Sequence, residues 1–298
     1  MTKPRVPEET RPAKLRERVK RSAWPAARIL LVVWFLCGAI LYLAQDWLIF
    51  PASPDVFRDP SSEGWPYENV ELTVAGETTE AWYLPMDNAP ATVLFSHGNA
   101  GNLANRIEAI RCFRELGLSV LAYDYGGYGN STGKTSEARC YADARAAWQW
   151  LTEEAGVAPA NIVIAGRSLG SAIAARLATE VNAAAVILES TFTSLPDMAW
   201  RQYPFYPMRW LVRHRFDTLA LMSEIKEPVL IVHSPDDDIV PYDMGQTLFD
   251  AANPPKSFLE IVGDHNHGFM AAGAGYTEGL RAFLAQHLPA MNEPAATE

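Results

Sequence analysis

The chain has 298 residues, 49% apolar, 20% charged and 11% aromatic, which excludes a disordered, collagen-like or low-complexity polypeptide and leaves room for a large core. Its three cysteines, Cys37, Cys112 and Cys140, are too few for a disulfide framework or a four-cysteine zinc site. The formal charge is −10 but divided: residues 1–28 hold nine Lys/Arg against three Glu, and residues 51–298 carry a net −15, a poor nucleic-acid surface because phosphate binding relies on Lys and Arg.

Residues 1–28 are charged and punctuated by proline, with no apolar period, and are expected to form a basic disordered tail. From Ile29 to Ala44 there is no charge or amide, a run of roughly 24 Å at helical rise. Extending it back to Trp24 adds one Arg, Arg28, whose long stem can snorkel to headgroups, and Trp24 and Trp47 bracket the run. We expect an uncleaved transmembrane signal anchor over 29–50, with the lipid bilayer as its partner. The positive-inside rule puts the basic N-terminus in the cytoplasm and the body on the non-cytoplasmic side. A cleaved signal peptide fits less well, because the basic region is long and no small-x-small site follows. Residues 51–68 are rich in Pro and Ser and read as a connector.

From Asn69 the pattern becomes regular. Residues 69–75 and 79–85 alternate like strands. The runs ATVLFSH, LSVLAYD, NIVIAG, AAAVILES, PVLIVHS and SFLEIVG read as further strands. Helical spacing falls between them, over 102–116, 136–154, 167–180, 242–252 and 276–288. Short apolar runs alternating with longer helices predict an α/β domain over 69–288, a mostly parallel sheet covered on both faces. Residues 191–227 are too long for a loop between two strands. Their Trp200, Tyr203, Phe205, Tyr206, Trp210 and Phe216 suit a small helical lid packed on the body, with a few of them lining an apolar channel. Residues 289–298 read as a flexible C-terminal tail.

Gly166-Arg167-Ser168-Leu169-Gly170 matches G-x-S-x-G and lies between a buried strand and a helix opening with small residues, the setting in which a sharp turn exposes a nucleophilic serine. A serine hydroxyl needs a base. In this architecture the acid and then the histidine follow the serine along the chain. His265 and His267 follow the last strand at its C-terminal end, where parallel α/β sheets hold their ligands, and His265 is the preferred base. The acid should leave the strand PVLIVH, where Asp236, Asp237 and Asp238 are adjacent and spacing does not choose among them.

These motifs resemble the α/β-hydrolase superfamily over roughly residues 69–288. Within it the chain is similar to serine aminopeptidase-like hydrolases and to single-pass, membrane-anchored ABHD-type hydrolases. The segment HSPDDDIVP resembles the family's H-G-x-x-D-x-x-V-P, which implies Asp237 as the acid. The family's G-x-H-N falls on Gly263, His265 and Asn266. The H-G-x loop implies the Asn99 N–H as one oxyanion donor, beside the Leu169 N–H that follows the nucleophile. Ser234 stands where the family has Gly. Gly126 stands where it commonly has Arg, and its loss implies a missing salt bridge near the site. His97 is expected to be a structural hydrogen-bonding residue.

The expected function is a membrane-anchored serine hydrolase that cleaves carboxylic esters or thioesters, small or acyl-chain, with no metal or organic cofactor implied. An aminopeptidase-like serine peptidase and a non-catalytic scaffold on the same fold are the alternatives. Neither Gly133-Lys134-Thr135 nor Gly127-x-Gly129 completes a nucleotide-binding loop.

Overall fold

The structure is a computed structural model in which residues 11–292 are described. The chain divides into two units at Gln45/Asp46. In the first, helix α1 runs over Arg11–Leu43. A disordered tail through residue 28 is therefore corrected from Arg11 onward, since residues 13–21 are almost all strong helix formers. Residues 1–10 lie outside the described residues. Trp24–Leu43 is long and apolar enough to cross a membrane: 20 residues with mean hydropathy 2.2 and no burial, about 30 Å at helical rise. The apolar helix is thus displaced from the expected 29–50. It ends before the polar pair Gln45 and Asp46, and Phe50 belongs to the core of the second unit.

The short helix α2 (Gln45–Ile49) follows in the chain, and the second unit is built on one eight-stranded sheet. The strands are β1 (Glu68–Val74), β2 (Glu77–Leu84), β3 (Thr92–Ser96), β4 (Ser119–Tyr123), β5 (Ile162–Arg167), β6 (Ala185–Glu189), β7 (Val229–His233) and β8 (Lys256–Glu260), in the order β1-β2-β4-β3-β5-β6-β7-β8. β2 pairs antiparallel with both β1 and β4, and every other pairing is parallel. All eight predicted strands are present. The alternation of β1 leaves Val70, Leu72 and Val74 buried, whereas β3 to β7 are buried along their length except for the last residue of β5, Arg167, as expected of strands covered on both faces.

Successive β3 residues feed opposite layers. Leu94 packs with the α4 (Glu137–Gln149), α5 (Leu169–Ala178) and α9 (Tyr242–Ala251) layer; Val93 and Phe95 pack with that of α3 (Ile107–Glu115), α10 (Gly268–Ala272) and α11 (Ala274–His287). The segment after β6 forms three short helices, α6 (Leu195–Gln202), α7 (Met208–Leu211) and α8 (Thr218–Leu221).

Residues 51–67 are not a loose connector. Ala52 makes a parallel bridge with Gly101, Asn102 Nδ2 donates to the carbonyls of Ser53 and Asp55 at 3.0 and 2.9 Å, and Arg58 Nε donates to the Ala104 carbonyl at 2.9 Å. The segment is sewn to the loop after β3. In that loop four of the six residues 97–102 are Asn or Gly.

Candidate active site

Ser168 is the single residue between the end of β5 and the start of α5. Its backbone sits at φ 53°, ψ −119°, which is strained for a residue with a Cβ. Neighbours hold the strain in place. The Ser168 N–H donates to the Glu189 carbonyl at 2.9 Å, and its own carbonyl accepts from Ser171 N and Ser171 Oγ at 2.9 and 2.6 Å. The flanking glycines are required by space. A Cβ at Gly166 would overlap the Gly170 carbonyl, and one at Gly170 would overlap the Ser96 carbonyl and lie 2.6 Å from that of His97.

The loops after β7 and β8 bring Asp237 and His265 to this turn. His265 Nε2 lies 2.9 Å from Ser168 Oγ, and its Nδ1 lies 2.8 and 3.0 Å from the two Asp237 oxygens. The Asp237 side chain is fully buried. Burial alone would raise its pKa, but the His265 bond and charge and the N–H groups of Val240 and Ile239 outweigh it and hold the carboxyl below its ordinary value. The other two aspartates take different work. Asp238 accepts the His265 backbone N–H at 3.1 Å, while Asp236 is exposed and its N–H is capped by Ser234 Oγ, a use for the departure from Gly. His233 is the second imidazole near Asp237, with Nε2 at 3.5 Å, but this nitrogen donates to the Val240 carbonyl and burial pushes the ring's pKa down. It therefore stays neutral and leaves the Asp237 charge to His265.

His214, His267 and His287 are not brought to Ser168: they lie in the segment after α7, in an exposed pair with Asp264, and at the end of α11. Nor are Cys112 and Cys140 rival nucleophiles. Burial pushes the Cys112 thiol up to about 12 and the Cys140 thiol well above its ordinary value.

The loop His97–Asn102 is pinned from several directions. Tyr125 and Tyr128 hydroxyls donate to the His97 and Asn99 carbonyls, each at 2.6 Å. His97 is fully buried between the Gly98 carbonyl and Asp124, a structural position as expected. Arg106 Nη2 donates to the Ala100 carbonyl and, at 3.4 Å, to that of Gly98. Among the described residues the Asn99 N–H donates to no protein acceptor, and Leu169, as the first residue of α5, has no intrahelical partner for its own.

These groups open on a cleft of about 390 Å³. Residues 191–227 do not line it, which corrects the expected lid-walled channel. Its walls carry Arg58, Arg106 and Arg167 together with Phe95, Phe269 and Met270. Burial, with the neighbouring Arg167 charge, pushes the Arg106 pKa down to about 10. Gly126, where the resemblance implied a missing salt bridge, is covered by an arginine from elsewhere in the chain. The Arg139 guanidinium, from α4, fills the space above Gly126, binds Asp143 at 2.7 Å and reaches Thr79 Oγ1 at 2.9 Å.

Sequence reasoning missed Arg167. Its Nη2 donates to the carbonyls of His265 and Asn266 at 2.6 and 2.8 Å, its Nε pairs with Glu189 at 3.2 Å, and the guanidinium stacks on Phe269. The only available signal was its place beside the serine.

Known proteins resemble this one in several ways. The family model described as serine aminopeptidase, S33, matches residues 87–221. An uncharacterized Mycobacterium tuberculosis protein, Rv2307c, is 33% identical over 264 residues, 88% of this chain and 92% of that one. Human alpha/beta hydrolase domain-containing protein 17B is 35% identical over 207 residues, 67% and 68% of the two chains. Among solved structures, the Pyrococcus furiosus esterase Pf2001 superposes with a TM-score of 0.68 at 20% identity, covering 80% of this chain and 99% of that one. The Rhodothermus marinus esterase domain does so with a TM-score of 0.56 at 25% identity, covering 73% and 98%. With the turn at Ser168, the mostly parallel sheet and these relatives together, the chain belongs to the α/β-hydrolase superfamily.

Proposed function

We propose that this chain is a membrane-anchored serine hydrolase of carboxylic esters or thioesters, with Ser168 as nucleophile, His265 as general base and acid, and Asp237 as the carboxylate that orients the imidazole. One arrangement carries the proposal: a single imidazole lies within hydrogen-bond reach of the Ser168 hydroxyl on one side and a buried carboxylate on the other. His265 Nε2 takes the hydroxyl proton as Ser168 Oγ attacks the acyl carbon. The oxyanion is held by the Asn99 and Leu169 N–H groups, each contributing on the order of 3 kcal/mol. The proton then goes to the departing alcohol or thiol, and water, activated by the same imidazole, releases the acid.

The cleft favours a short or polar acyl group, since its apolar wall is limited to a few residues. Its arginines disfavour the free amine that an aminopeptidase must bind. The helix Trp24–Leu43 anchors the chain, and the basic N-terminal segment places the body on the non-cytoplasmic side.

The test is hydrolysis of p-nitrophenyl esters from acetate to palmitate by the full chain in detergent, with Ser168→Ala alongside. Turnover that is lost in the variant and greatest at short chains is expected. Equal turnover by Ser168→Ala sinks the nucleophile assignment; a maximum at palmitate sinks the short-acyl assignment.

A further inference from the structure

We infer that the α6–α7 hairpin is a docking surface for the bilayer itself, a lipid-facing edge of the body rather than a cover for the cleft. This rests on the reading of Trp24–Leu43 as a bilayer span.

Four of the hairpin's five aromatic side chains are exposed, and Tyr206 is half-buried. Trp210 is 89% exposed and Phe205 83%, with Trp200 and Tyr203 also exposed. Large aromatics so presented on a short helical hairpin are costly in water, and none of them lines the cleft at Ser168.

Asp46, the first residue of the second unit, is tied to the chain just after this hairpin. Only Ala44 and Gln45 separate Leu43 from Asp46. Asp46 is held by Arg213 at 3.1 Å and by His214 Nε2 at 2.8 Å, immediately after α7. Trp47, the next residue, is 75% exposed. If Leu43 ends the span, Asp46 lies at the headgroup level, and the residues that grip it lie there too.

The charge agrees. Between residues 195 and 215 there are four arginines and one aspartate, within a body of net −15. Arg201, Arg209 and Arg213 touch Asp243, Asp197 and Asp46 yet remain substantially exposed. Exposed aromatics interleaved with arginines match the composition of an interfacial belt facing anionic headgroups.

The test uses the full chain with Cys37→Ala and an NBD probe on Trp210→Cys; Cys140 is buried and Cys112 half-buried, with both thiols held protonated. The protein is reconstituted in phosphatidylcholine–phosphatidylglycerol nanodiscs containing a shallow spin-labelled lipid. The expected result is loss of about half of the probe's emission to the spin-labelled lipid, with shielding from aqueous iodide. The same probe at Glu153→Cys, which precedes β5 at the other end of the sheet, should respond in the opposite way. Quenching of the 210 probe by iodide and not by lipid overturns the proposal. So does shielding from iodide without quenching by lipid, the result for a protein partner or a second copy. Failure of the chain to enter nanodiscs at all instead sinks the underlying span. Fluorophosphonate labelling of Ser168 in the same samples reports separately on the hydrolase reading. A second variant, Phe205→Ser with Trp210→Ser, should lose about tenfold in turnover of a bilayer-borne ester and keep that of a water-soluble ester within about twofold. A parallel change in both, or in neither, counts against docking.

Discussion

Arg167, the residue before the proposed nucleophile, donates from Nη2 to the carbonyl of His265, the proposed base, at 2.6 Å. A single side chain thus ties the elbow turn to the loop that must bring the imidazole to Ser168, 97 residues further on. Its Nε is paired with Glu189, which in turn accepts from the buried Tyr276 hydroxyl at 2.7 Å.

Arg167→Met is therefore expected to lower kcat by about 10²-fold with little change in KM, because a base displaced by about 1 Å costs that much. Steady-state kinetics on a short ester, with circular dichroism to confirm folding, checks this. An unchanged kcat would mean that the loop after β8 holds its own shape.

The Arg139–Asp143 pair is expected to act on stability, not on chemistry. Asp143 is fully buried, and burial raises its pKa against the Thr79 and Arg139 bonds that favour its charge. Arg139→Met leaves that carboxylate unpaired, at a cost of about 3 kcal/mol or more. Adding Asp143→Asn should recover most of the loss. Thermal melting of the single and double variants makes the comparison, and equal destabilisation in both would refute the pairing.

Space at the elbow gives a paired test. Gly170→Ala places a Cβ against the Ser96 and His97 carbonyls, backbone that cannot step aside, and should cost about 3 kcal/mol or fail to fold. Gly275→Ala, near the start of α11 with nothing within 4 Å, should stay within about 1 kcal/mol of the wild type. Similar melting points for the two variants would contradict the close packing of α5 on β3.

Acid should weaken the fold near neutrality through His97 and His233. Burial holds both pKa values below the ordinary 6.5, so both rings are neutral in the folded chain while the unfolded chain takes up protons near 6.5. The unfolded state then binds more protons, and stability falls as pH drops from about 6.5 until the folded values are passed. Each ring contributes at most about 1.4 kcal/mol per pH unit over that window. Melting temperatures from pH 8 to 5 should show this slope, and His233→Gln should flatten it by about half. Asp237 is shifted in the same direction but in a more acid window: its stabilisation is present above 3.8 and is lost as pH falls through the lower folded value.

Much of this was legible in the chain because it is local. The eight strands are short apolar runs, and the elbow is a contiguous pentapeptide bounded by a strand and a helix. The choice of Asp237 from three aspartates needed the family pattern; the fold adds what the others do, Asp238 holding the His265 backbone and Asp236 facing solvent. What escaped notice depends on distant partners. Arg139 lies thirteen positions from the Gly126 whose space it fills, and residues 51–67 carry no periodicity although they buttress the loop after β3. The aromatics after β6 were counted correctly, but composition does not tell a channel wall from an outward face. A helix over 11–23 was likewise hidden by charge, although each of its residues except Pro12, Val19 and Ser22 is a good helix former or tolerates a helix well.

The central claim is that Ser168 becomes the covalently modified atom of a hydrolase. Full-length protein in detergent should be treated with a fluorophosphonate, digested and mapped by mass spectrometry. A single adduct on Ser168, absent from Ser168→Ala and formed far more slowly in His265→Ala, is the predicted result. An adduct on any other residue, or one that persists in Ser168→Ala, would contradict the account.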